Sequence, residues 1–137
     1  MDFELARVLL VDDNPTSRLT LQTVLEASGY RVDAAASAAE AFGKLDEQEY
    51  ELVLSDLRME SPEAGLKVLA HARMMDYKPA TAIVTTYQNA SEDAKPQKQA
   101  RMLIKPEDVP GLLAKVANLI SERAARKVQR EMRHATG

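Results

Sequence analysis

Five short apolar runs recur along the chain, each separated from the next by a longer stretch with helical periodicity. The first, ARVLLV (6–11), is apolar without polar alternation, as expected of a strand covered on both faces. RVDAAA (31–36), ELVLS (51–55), TAIVTT (81–86) and ARMLI (100–104) follow. Asn14 and Pro15 give a helix-start signal, a capping side chain followed by a proline whose missing N–H is no loss in the first turn. Leu21, Val24, Leu25 and Ser28 then share one helical face, and Gly29 stops the helix. Ser37 and Glu40 have capping-box spacing ahead of an inner face made by Ala38, Ala41, Phe42 and Leu45. Leu66, Leu69 and Ala72 form the inner face of a third helix. Val109, Leu112, Leu113, Val116, Leu119 and Ile120 repeat the pattern near the C-terminus. Strands alternating with helices require crossover connections of one hand. The expected fold is α/β: a single doubly wound five-stranded parallel sheet with helices on both faces and an extended C-terminal helix. The segment 88–99, QNASEDAKPQKQ, is polar and carries Pro96, so it is expected to hold a short or irregular helix of low local stability.

At 137 residues the chain fits one domain with a substantial core. A formal net charge of −3 argues against a nucleic-acid-binding surface, which would be basic. The lack of cysteine rules out disulfides, thiolate metal sites and a cysteine nucleophile. No basic start precedes a long apolar stretch, so no signal peptide is expected, and no apolar run nears the ~20 residues that cross a bilayer. The expectation is a cytoplasmic, soluble protein.

In a parallel sheet the strands end at one edge, and ligands bind in the crevice at those carboxyl ends. Strand one runs out into Asp12 and Asp13, strand three into Asp56, strand four into Thr85 and Thr86, and strand five into Lys105. Three carboxylates gathered there repel one another unless a cation joins them, and an all-oxygen site selects a hard ion such as Mg²⁺. Each residue also has a plainer reading. Asp12 and Asp13 could favour the N-terminus of the following helix, and Asp56 could be a loop acid. Thr85 and Thr86 could serve strand propensity, and Lys105 could be an exposed turn lysine.

LLVDDNP with Asp12 and Asp13, LVLSD ending in Asp56, IVTTY with Thr85, and IKP with Lys105 together resemble the receiver domain of two-component response regulators, CheY-like proteins of the flavodoxin-like fold class. The resemblance covers about residues 5 to 120. It implies that Asp56 accepts a phosphoryl group from the phosphohistidine of a sensor histidine kinase or phosphotransfer protein. It also implies that Asp13, Asp56 and the backbone carbonyl of Arg58 hold Mg²⁺ directly, with Asp12 acting through water. Lys105 would pair with the phosphoryl oxygens, and Thr85 would donate its hydroxyl to the new group and report its presence. Met102 stands where the family often carries an aromatic residue, which leaves Tyr87, two residues after Thr85 and next to Thr86, as the aromatic of the switch region. Arg58 and Tyr87 flank the phosphoryl position and are bulky, which implies slow self-dephosphorylation. In RMESPEAG (58–65) Gly65 falls one residue late, which implies an altered loop.

The sequence thus divides into a receiver domain, 1–120, and a basic helical extension, 121–137. SERAARKVQREMRH (121–134) carries Arg123, Arg126, Lys127, Arg130 and Arg133 against Glu122 and Glu131. A solvated extension and a dimer-forming or partner-docking helix both fit it. His71 is expected on a solvated face. The expected function is a phosphorylation-controlled switch, not a turnover enzyme, that acts through a downstream protein target. Direct nucleic-acid or membrane contact is not expected. The alternative is a receiver-like interaction domain working without phosphate. A phosphohydrolase with an aspartate nucleophile would want its first two acids separated by one residue, whereas Asp12 and Asp13 are adjacent.

Overall fold

The computed structural model describes residues 6–56, 59, 61, 63–84, 103–104 and 109–136. In chain order the elements are β1 (Arg7–Val11), α1 (Pro15–Ala27), β2 (Arg31–Ala35), α2 (Ala38–Glu47), β3 (Leu52–Asp56), α3 (Ala64–Arg73), β4 (Ala80–Val84), the two-residue β5 (Leu103–Ile104) and α4 (Val109–Thr136). The strands β1 to β4 form a parallel sheet in the order β2-β1-β3-β4. Leu103 and Ile104 lie beside Ile83 and Val84 in the same sense. These two residues are the described part of the strand expected over 100–104. The polar 88–99 segment lies outside the described residues.

Helices cover both faces of the sheet, which explains the unbroken apolar run of β1. Val8 and Leu10 point to one side and pack with Leu21 and Leu25 of α1 and Leu112, Val116 and Leu119 of α4. Leu9 and Val11 point to the other and join Ala41 and Leu45 of α2 and Val68, Leu69 and Ala72 of α3. Val68, which the sequence pattern passed over, is fully buried, whereas Leu66 is only partly so.

The helix ends follow the local signals. Asn14 caps α1, its side chain accepting from the Ser17 N–H at 3.0 Å. Past the other end Gly29 adopts φ 100°, a conformation that glycine reaches without steric cost. Ser37 Oγ accepts from the Glu40 N–H at 3.2 Å to open α2. His71 is not on a purely solvated face: its ring stacks on Phe42 at 4.7 Å and meets Asp46 Oδ1 at 2.9 Å, so it ties α3 to α2. Two tyrosines pin the end of the sheet opposite the strand C-termini. Tyr50 donates its hydroxyl to Asp33 Oδ2 at 2.7 Å, and Tyr77 donates to the Leu45 carbonyl at 2.9 Å. Burial raises both hydroxyls above the usual tyrosine range, Tyr50 with help from the Asp33 hydrogen bond and Tyr77 to about 12 with help from Glu49 and Asp46.

Helix α4 continues well past the core. Arg123 is buried, with Nε donating to the Lys78 carbonyl at 3.1 Å and Nη2 to the Tyr77 carbonyl at 2.7 Å. Counted in the sequence among the basic residues of the extension, it fastens α4 to the turn before β4. That turn needs the support, because Lys78 sits at φ 46°, which is unusual for a residue with a side chain. Beyond it Val128 and Met132 are exposed. Replacing Arg123 by alanine removes two charge-assisted bonds and is expected to cost about 2 kcal/mol in urea unfolding, with lysine recovering less than half for want of the planar fork.

Candidate functional site

The strand order reverses at β1, which has β2 on one side and β3 on the other. A parallel sheet opens a crevice at such a point, outside the carboxyl ends of the strands. Asp12 and Asp13 follow the last residue of β1, and Asp56 is the last residue of β3. Register explains why they meet, since Val11 lies opposite Ser55 and the next residue of each strand is an acid. One carboxylate oxygen from each of Asp12, Asp13 and Asp56 lies within 4.8 Å of the others. The structure thus brings together the three acids singled out in the sequence.

They sit in different surroundings. Asp12 is buried at 4% exposure, Asp56 is half-buried and Asp13 is exposed. Asp12 Oδ1 accepts from the Asn14 N–H at 3.0 Å, so one oxygen shapes the turn into α1. Capping explains that oxygen only. The cap of α1 is Asn14, and among the described residues no capping bond involves Asp13. Ser55 Oγ donates to the Asp56 carbonyl at 3.2 Å and steadies the end of β3.

Three like charges at this separation repel by roughly 1 kcal/mol per pair in water and by more where the walls exclude it. The donors are all oxygen, which suits a hard divalent cation. Opposite ligands of a six-coordinate Mg²⁺ stand about 4.2 Å apart, so a cluster of this span has the size for one ion with some contacts made through water.

Arg18 escaped notice in the sequence. It stands one helical turn after the capping Asn14, and long helical side chains lean toward the helix N-terminus. Its Nη1 reaches back to the Asp12 carbonyl at 2.8 Å. The other residues expected at the site, Arg58, Thr85, Thr86, Tyr87, Met102 and Lys105, lie outside the described residues.

The chain matches the sequence pattern of the response regulator receiver domain over residues 8–117. It therefore belongs to the receiver family of two-component signalling. It is 37% identical over 102 residues to the alginate biosynthesis transcriptional regulatory protein AlgB of Pseudomonas putida, with 73% of this chain and 22% of that protein covered. It is 33% identical over 93 residues to the hybrid signal transduction histidine kinase F of Dictyostelium discoideum, with 64% of this chain and 8% of that protein covered. The chain thus spans less than a quarter of the length of either relative. Among solved structures, the response regulator TrrA of Thermotoga maritima in complex with Mg²⁺ and BeF aligns with a TM-score of 0.72 at 29% identity, covering 84% of this chain and 99% of that one. A CheY-like receiver domain protein of Methanospirillum hungatei aligns with a TM-score of 0.75 at 26% identity, covering 90% and 99%.

Charge repulsion in the cluster has a measurable sign. In chelator, Asp13→Asn is expected to raise the stability of the folded protein by about 1 kcal/mol, an effect that shrinks as salt is added. Urea titrations at low and high ionic strength check it.

Proposed function

We propose that this chain is a phosphoacceptor switch in which Asp56 takes a phosphoryl group from the phosphohistidine of a sensor histidine kinase or phosphotransfer protein. The observation that carries the reading is the meeting of Asp12, Asp13 and Asp56 at the reversal point of a receiver-family sheet. The complete sheet is taken as five-stranded, with receiver domain 1–120 followed by the extension 121–137. Asp13, Asp56 and the Arg58 carbonyl would hold Mg²⁺, with Asp12 reached through water. When bound, the ion lowers the cost of bringing an anionic phosphoryl group to a carboxylate.

In the transfer an Asp56 carboxylate oxygen forms the new bond to phosphorus. The P–N bond breaks, and its electron pair goes to the imidazole nitrogen. With a proton on the ring's other nitrogen, the donor leaves as neutral histidine. Lys105 pairs with the phosphoryl oxygens, and Thr85 donates its hydroxyl to them. Tyr87, Thr86 and Met102 make up the region that reads this change. Arg58 and Tyr87 crowd the approach of water, so the acyl phosphate is long-lived. The chain performs its own phosphorylation and slow hydrolysis and is otherwise no turnover enzyme. Its output is contact with a downstream protein in the cytoplasm, without direct contact to nucleic acid or membrane, and α4 offers a surface for a homodimer. No helix among the described residues is long and apolar enough to cross a membrane.

Incubation with Mg²⁺ and acetyl phosphate followed by intact-mass measurement tests the reading. One added phosphoryl group is expected, absent in Asp56→Asn and in chelator. No gain in a folded protein would favour an interaction domain working without phosphate, and continuous phosphate release would favour a phosphohydrolase.

A further inference from the structure

Asp12 is fastened at three points, and they are not equivalent. Its N–H donates to the Ala35 carbonyl at 3.0 Å, which carries the β1–β2 ladder one residue further. Its Oδ1 accepts from the Asn14 N–H at 3.0 Å, a turn contact between neighbours in sequence. The third point is the Asp12 carbonyl, which accepts from Arg18 Nη1 at 2.8 Å. The first two are what a strand leading through a turn into a helix needs anyway. The third spends the rotamer freedom of a long side chain on one carbonyl, and among the described residues no other donor reaches it.

That carbonyl belongs to the peptide that joins Asp12 to Asp13. A peptide unit is planar, so a bond at its oxygen restricts how that plane can turn and with it the directions in which the Asp13 side chain can leave the backbone. We propose that Arg18 is a positioning residue of the acidic site: by clamping the Asp12–Asp13 peptide it holds the exposed Asp13 carboxylate in the arrangement that takes the cation. The assignment rests on the reading that the cluster binds Mg²⁺.

Two effects of Arg18 oppose each other, which makes the assignment decidable. As a positive charge beside the cluster, Arg18 disfavours a cation, and its removal would tighten Mg²⁺ binding. As a clamp it favours the cation, and its removal weakens binding. Outer groups that orient ligands in other metal sites are worth about tenfold or more in affinity. The clamp is therefore the larger effect here.

Calorimetric titration of Mg²⁺ into the full chain, well below its melting temperature and with far-UV dichroism confirming the fold, separates the two. Arg18→Ala is expected to bind Mg²⁺ about tenfold more weakly than wild type. Arg18→Lys, which keeps the charge and a donor, is expected to regain most of the loss. If the alanine variant does not fold, Arg18→Met, which keeps the aliphatic stem without a donor, is expected to show the same weakening. Equal or tighter binding by the folded Ala or Met variant, with wild type binding normally, would overturn the role of Arg18 and leave the proposed function standing. No Mg²⁺ binding by wild type would overturn both.

Discussion

The repulsion among Asp12, Asp13 and Asp56 is the constraint around which the rest of the structure is arranged. Backbone register brings the ends of β1 and β3 side by side, so the carboxylates of Asp12, Asp13 and Asp56 gather within a few ångströms of one another. A cation offsets the repulsion and converts a local defect into a binding site. Without a cation the folded state carries the cost of that repulsion. The buried residues of β1 and β3, packed on both faces, provide the rigidity to do so.

That rigidity is built from ordinary parts. Unbroken apolar strands place helices on both faces. Asn14, Gly29 and Ser37 set where α1 and α2 begin or end, and the parallel pairing puts the carboxyl ends of the strands at one edge. At the opposite end of the sheet, Tyr50, Tyr77 and Arg123 tie strands, turns and α4 together. The acidic cluster sits at the strand ends of one edge, whereas these ties among the described residues lie at the other.

Much of this was legible in the sequence because it depends on short-range patterns. The strands, the caps at Asn14 and Ser37, and the meeting of Asp12, Asp13 and Asp56 follow from periodicity and from the geometry common to parallel sheets. What escaped depends on the reach of long side chains. Arg18 carries no motif, and Arg123 counts only toward the charge of the extension, yet each crosses to backbone carbonyls, one at six and the other at 45 and 46 residues' separation. His71 escaped for a similar reason, since its partners Phe42 and Asp46 lie on another helix. Composition and spacing carry no record of which carbonyl a guanidinium will find.

On the proposed function the acidic cluster is a cation site whose like charges are tolerated because an ion binds them. Thermal unfolding in chelator and in millimolar Mg²⁺ tests it most directly. Mg²⁺ should raise the melting temperature of wild type, since a ligand that binds only the folded state stabilises it by mass action. The gain should largely vanish in Asp13→Asn. Identical melting of wild type in the two conditions would contradict the account and return Asp12 and Asp13 to the role of helix-start residues.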